Sequence, residues 1–470
     1  MPKKKGSGDA NKAVEYLEDH LADFKAMLAE MVRIPSVSAE GFPPKEVERS
    51  AESVAAAMKK TGLDRVKILK LPNVHPYAYG EWKGAPGRPT VLLYAHHDVQ
   101  PAGRVEKWHT PPWEATERNG RLYGRGTADD KAGIVTHLAA IRSYLETGGG
   151  LPLNVKLLIE GEEEIGSENL TLLLEKEKER LQADFIVLTD TANIDAGIPS
   201  LTYMLRGIVT VDVEVQSLDH PLHSGMWGGP IPDPVQALTN ILGGLVKSNG
   251  KLDVPGLYDQ VRKLTKKEKD RIRKLPFSAR GFHRQAGLLP GVKLAGEKGF
   301  SAYEQLWTRP NMTVIAFEAR PLKGSSNQII ESARARLSIR TVPDMRSKDV
   351  GRLFVKRLTK NPPWGVKVKA KMTGASPWWR TEPEGPAFDA ALKAMKRGFG
   401  RPPALIGAGG SIGFVQPFAD VLGGVPALLL GLEDPICNAH SENESLNLHD
   451  WHKGMRTAVF LYDELAKVTE

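Results

Sequence analysis

A single cysteine, Cys437, stands in 470 residues. That excludes an internal disulfide framework and fits a reducing compartment. Long hydrophobic runs are also missing, and none reaches the roughly 18 residues of a membrane span. The start, MPKKKGSGDANKA, is basic, but no apolar segment of the secretory type follows it. These absences make a cytoplasmic protein with no membrane partner the expectation. Aromatic residues make up only 7%, and although the net charge is +8, the basic residues are scattered. The densest run, KKEKDRIRK at 266–274, carries acids at helical spacing. It reads as a solvated helix face and not as an aromatic-studded platform, so no nucleic-acid partner is expected. A modest positive field remains, of the kind that steers anionic substrates.

What is present describes a globular chain, with 41% hydrophobic and 26% charged residues. Its length implies two to three domains, each with its own core. Apolar residues at spacings of three or four predict one amphipathic helix over 11–33 and another over 44–60, stopping at Gly62. Extended runs then alternate with helical ones: extended at 65–71, 90–95, 153–160 and 185–189, helical at 131–145 and 167–180. This alternation predicts an α/β domain with a largely parallel central sheet flanked by helices. The pattern changes after Arg206. Segments 208–215, 313–317 and 333–342 read as strands, and 234–247 and 347–358 as helices, an α+β block with helices on one sheet face. Helical signals return at 388–399 and 449–466. An inserted domain over 207–383, within a catalytic domain formed by 1–206 and 384–470, is therefore expected.

Five clusters carry chemistry. In YAHHDVQP, 94–101, an apolar run ends in His96, His97 and Asp98. Residues two apart on a strand share a face, so His96 and Asp98 point together. A carboxylate beside an imidazole is a common support for a metal-ligating histidine, although a buried histidine bonded to an aspartate looks the same in sequence. In YGRGTADDKAG, Asp129 and Asp130 precede a helix, where a helix cap alone needs one aspartate. EGEEEIGS places Glu162, Glu163 and Glu164 after an apolar strand; such acids repel one another unless a cation gathers them. Asp190 follows FIVLT, and His440 lies in CNAHSENE. Hydrolysis at a dinuclear metal centre needs histidine and carboxylate ligands, a shared carboxylate and a separate base. His96, His440, Asp129, Glu164 and Asp190 supply the ligands and Glu163 the base. Two divalent ions and three carboxylates leave one positive charge to favour hydroxide. The donors suit zinc, with manganese or cobalt as alternatives because no thiolate discriminates among them.

In consistent order over nearly the whole chain, these clusters resemble those of the dinuclear zinc peptidase family that contains carnosinase-type dipeptidases, glutamate carboxypeptidases, aminoacylases and acetylornithine and succinyl-diaminopimelate deacylases. The resemblance implies that His96, Asp129 and Asp190 hold one ion and Asp129, Glu164 and His440 the other, with Asp129 bridging. It implies Glu163 as general base, aligned by the IGS end of its motif, Asp98 as the support of His96, and a cis peptide between Asp129 and Asp130. HHDVQPA, LRGIVTVDVEV, DHPLHSGMWGG and SIRTVPDM are most similar to the carnosinase-type dipeptidases. By that likeness His223 reaches the substrate carbonyl or oxyanion, across a homodimer formed by the inserted domain, which also serves as a lid. Arg340 clamps the substrate's C-terminal carboxylate, and Asn327 and Ser411 help to bind it. The implied function is hydrolysis of dipeptides or short peptides with a free C-terminal carboxylate, by a metal-bridging hydroxide and Glu163. The alternatives are an N-acyl-amino-acid deacylase and, further off, a non-catalytic peptide-binding protein. One departure stands out: many relatives carry a charged residue before the GGSI glycines, where this chain has GAGGSIG, with Gly407 and Ala408.

Overall fold

The computed structural model describes residues 9–468, so the basic stretch 1–8 lies outside the described residues. The chain divides into two compact units, Met1–Tyr203 with Thr381–Ile406 and Phe414–Glu470, and Met204–Arg380 with Gly407–Gly413. Among the described residues no helix is long and apolar enough to cross a membrane.

The first unit is an α/β sandwich around a large central sheet, and it also holds a small three-stranded sheet of Thr116–Arg118, Arg121–Tyr123 and Ser445–Asn447. The middle strands of the central sheet, in spatial order Asn154–Glu160, Thr90–His96, Phe185–Ala192 and Ala427–Glu433, run parallel. Asp64–Leu69 and Tyr77–Trp82 extend it on one side and Ser200–Leu205 on the other, all antiparallel. The parallel strands are apolar almost without interruption because helices cover both their faces, and they are buried along nearly their whole length. Parallel neighbours also require a crossover. Lys131–Glu146 supplies one, packed against Leu448–Leu465, Ala10–Asp19 and Leu21–Val32. Pro44–Thr61 begins with proline in its first turn and ends at Gly62 with φ of 99°, a left-handed cap that glycine adopts without a steric penalty.

Several expectations are corrected. The helix read over 11–33 is two helices, Ala10–Asp19 and Leu21–Val32, broken at His20. There the His20 backbone N–H bonds to the Leu17 carbonyl, and the ring bonds to the Tyr16 carbonyl and stacks on the Tyr16 ring. Apolar spacing persists across the break, so periodicity could not reveal it. Segment 167–180 holds two short helices, Leu170–Lys176 and Lys178–Leu181, and the helix from Pro234 ends at Gly243 instead of 247. Tyr77–Trp82, Ser200–Leu205, Lys367–Ser376 and Ala427–Glu433 are strands that the reading passed over.

The second unit is built on a four-stranded antiparallel sheet in the order Asn311–Glu318, Ser332–Thr341, Gly207–Gln216, Lys367–Ser376. Val209, Val211, Val213 and Val215 are buried with the helices Pro234–Gly243 and Ser347–Thr359. The intervening Asp212 and Glu214 pair across the ladder with Arg336 and Arg334.

Candidate metal centre

The centre sits where the parallel strands of the first unit end, as open α/β sheets favour. His96 is the last residue of Thr90–His96, opposite Glu160 at the end of the neighbouring strand. Two residues past Glu160 the chain turns, and Glu163 and Glu164 occupy that single helical turn. Asp190 lies in Phe185–Ala192, Asp129 one residue before the Asp130 cap of the helix Lys131–Glu146, and His440 on a loop with φ of 62°.

The structure brings these residues into two groups that share Asp129: His96, Asp129 and Asp190, and Asp129, Glu164 and His440, with the ligand atoms of each group within 4.8 Å of one another. The two carboxylate oxygens of Asp129 face opposite imidazoles. Oδ1 lies 3.0 Å from His96 Nε2, and Oδ2 lies 2.9 Å from His440 Nε2. Asp190 Oδ1 is 3.8 Å from His96 Nε2, and Glu164 Oε2 is 3.1 Å from His440 Nε2. His96 is fully buried whereas the His440 side chain keeps 58% of its exposure, so the centre opens to solvent on the His440 side.

The electrostatics are those of gathered acids. Burial, then Asp190, Glu164 and Asp129, raise the Glu163 carboxyl well above the usual carboxylate range. Burial and Asp129 push Glu164 up to about 7. Hydrogen bonds to Asp129 and Glu164 raise His440 to about 11. Two histidines and a ring of carboxylates that resist common ionisation suit divalent cations, and the nitrogen and oxygen donors allow zinc, manganese or cobalt. The residues present therefore fit a pair of metal ions.

The neighbours of the motif residues refine their readings. His96 Nδ1 meets the Asp98 carbonyl at 3.1 Å, nearer than the Asp98 carboxylate at 3.4 Å. That carboxylate stays paired with His96 and also accepts from the Ser38 hydroxyl at 2.6 Å and from the backbone N–H groups of Glu163 and Glu164. Asp98 thus ties the His96 strand to the glutamate turn. His97 is buried, bonds to the Pro76 carbonyl and is lowered to about 4 by burial, as a neutral core histidine would be. Glu162 accepts from Tyr77 and Asn169, which leaves Glu163 and Glu164 with the other acids. The Asp129–Asp130 peptide is cis. Asp130 makes no side-chain cap bond to its helix; it accepts from the His96 backbone N–H. Burial and Glu433 raise the Cys437 thiol, which disfavours a thiolate nucleophile.

Besides Ser38, three contributors escaped the sequence reading. Glu444, fully buried, accepts from the backbone N–H groups of Gly126, Ala128 and Asp129 and from Arg125. Gln100 donates to Glu164, and Glu433 is raised by burial and by the charges of Asp129 and Asp190. Glu444 stood in the same motif as His440, but nothing in its spacing separated it from its neighbours.

The expected substrate residues all belong to the second unit and form two places within it. Leu222–His223 pairs with Gln328–Ile329, and Ser224 donates to the Asn327 carbonyl, so His223 and Asn327 are neighbours. His223 is exposed, and its ring accepts from the Gly225 N–H. Elsewhere Arg340 Nη1 donates to Ser411 Oγ at 2.7 Å.

An α/β sheet that presents paired histidine and carboxylate groups, with a spare glutamate, defines a class of metal-dependent hydrolases. The model of Peptidase family M20/M25/M40 matches residues 92–463, and the chain belongs to that family. Among its relatives is a cysteinylglycine-S-conjugate dipeptidase of Corynebacterium striatum, 33% identical over 85% of this chain and 86% of that protein. A Beta-Ala-His dipeptidase of Homo sapiens is 30% identical over 97% of this chain and 93% of that one. The solved structure of the di-peptidase Dug1p from Saccharomyces cerevisiae superposes with a TM-score of 0.87 at 27% identity, covering 98% and 99% of the two chains.

Proposed function

We propose that the protein hydrolyses the amide bond of dipeptides or short peptides with a free C-terminal carboxylate. The observation that carries this is the pair of ligand groups sharing Asp129, beside a half-buried Glu163 that belongs to neither group. His96, Asp129 and Asp190 would hold one divalent ion and Asp129, Glu164 and His440 the other, zinc being the best match to these donors. When bound, the ions acidify water and polarise a carbonyl.

The protein's own residues do the rest. Glu163, fixed through its backbone by Asp98, takes a proton from the attacking water and passes it to the leaving amine, a task that suits a carboxyl raised above the usual carboxylate range by burial and neighbouring acids. His223 donates to the oxyanion. Arg340, held by Ser411, takes the substrate carboxylate, and Asn327 orients the peptide. The second unit serves as lid and as the contact for a homodimer, and the protein works in the cytoplasm. Sequence relatives whose names specify dipeptides of different composition support the substrate class. A panel of dipeptides set against N-acetyl and N-succinyl amino acids tests it, with added zinc, manganese or cobalt. Dipeptides turning over faster is the expected result; turnover of the acyl amino acids alone would contradict it.

A further inference from the structure

The GAGGSIG loop is gripped by two arginines. Arg206 donates from its backbone N–H to the Gly410 carbonyl and from Nε to the Gly409 carbonyl at 2.8 Å. Arg340, on the strand that pairs with the one just after Arg206, reaches Ser411. The glycines permit this approach. A Cβ on Gly409 would lie 3.2 Å from Arg206 Nη2, and one on Gly407 would lie 2.8 Å from the Trp307 ring.

Arg206 is only 6% exposed, and its Nη1 has no hydrogen-bond partner. Among the described residues neither arginine forms an ion pair. Burial and the neighbouring Arg340 charge lower Arg206 to about 9. A buried guanidinium without an anion is costly, and a second one beside it adds repulsion. The loop itself, GAGGSIG at 407–413, carries no carboxylate. One substrate carboxylate would neutralise Arg340 and leave Arg206 unmatched. Two carboxylates would match both, and the planar forks suit them.

We propose that Arg206 and Arg340 form a dicarboxylate pocket, in which Arg340 takes the substrate's C-terminal carboxylate and Arg206 an acidic side chain on that same residue. Peptides ending in glutamate or aspartate are then the favoured substrates. This rests on the peptidase reading for its context, but the pocket can be tested without turnover.

The test is calorimetric titration of the metal-loaded, full-length enzyme with L-glutamate and with L-glutamine, alongside kcat/KM for Ala-Glu and Ala-Gln. Glutamate should bind at least about 10-fold more tightly than glutamine, and Ala-Glu should show a matching advantage, mostly in KM. Arg206→Met should abolish both preferences, and Arg206→Lys should keep part of them; if the methionine variant fails to fold by circular dichroism, the lysine variant decides. Equal affinities in the wild type, including no binding of either, or an undiminished preference in the folded variant, would overturn the pocket. Preference for glutamate with neither peptide cleaved would support the pocket and contradict the peptidase reading. Cleavage of both peptides at equal kcat/KM would do the reverse.

Discussion

Replacing Glu444 by alanine should damage the metal centre without removing any metal ligand. The Glu444 carboxylate is fully buried and accepts from Arg125 at 2.7 Å and from the N–H groups of Gly126, Ala128 and Asp129 at 3.0, 2.9 and 3.1 Å. It is what shapes the chain leading to the shared Asp129. Removing one partner of a buried ion pair costs about 3–5 kcal/mol, and each buried N–H left without an acceptor about 1–3 kcal/mol. These terms overlap, because water can enter the space of the lost side chain and bridge some of the donors. A net loss of about 3–5 kcal/mol is therefore expected. With a urea dependence of about 3 kcal/mol per molar, this lowers the unfolding midpoint by about 1–1.7 M. Misplacing Asp129 should also weaken metal binding by about 10- to 100-fold, the usual effect of losing a residue that orients a ligand. Urea titration followed by circular dichroism, together with competition against a chromogenic chelator, reads both effects. An unchanged midpoint with unchanged metal affinity would refute the role given to Glu444.

Two further outcomes concern protons. In the metal-free protein, Asp129 and Glu164 raise His440 to about 11, so this histidine's stabilising contribution is full below its unfolded value of about 6.5 and is lost as pH rises through the folded one. Metal requires the neutral ring, so binding should release at least one proton near pH 7 and tighten with rising pH; calorimetry in buffers of different ionisation enthalpy measures this, and no release would contradict it. In the second unit, burial works against the Glu268 carboxylate, but Arg262 and Thr265 hold it down to about 2. Its contribution is thus present above the unfolded value of about 4.5 and lost as pH falls toward 2, so Glu268→Gln should flatten the acid side of a stability profile; an unchanged profile would refute this.

Much of the centre was legible because its residues stand where a strand or helix pattern breaks. His96 ends an apolar run, Glu163 and Glu164 follow another, and Asp129 precedes a helix among glycines, so position and chemistry agreed. The supports were not legible. Ser38 acts through one hydrogen bond, Gln100 through several donated to Glu164, and Glu444 as a buried acceptor, and none of these leaves a spacing in a sequence. Residue type offered a helix cap for one of the two aspartates, yet the Asp130 carboxylate makes no cap bond and accepts from the His96 backbone. Among the elements, Ala427–Glu433 escaped because a short apolar run after glycines has no period of its own, and the break at His20 escaped because apolar spacing continued through it.

Glu163 is the proposed proton carrier beside a pair of bound metal ions. Metal content and dipeptide turnover of Glu163→Gln, measured against the wild type in one preparation, test this most directly. Two metal ions per chain in both proteins and a kcat lower by about 10²–10⁴ in the variant are predicted. Near-normal turnover in the variant, or wild-type protein that cleaves dipeptides after its metal is fully removed, would contradict it.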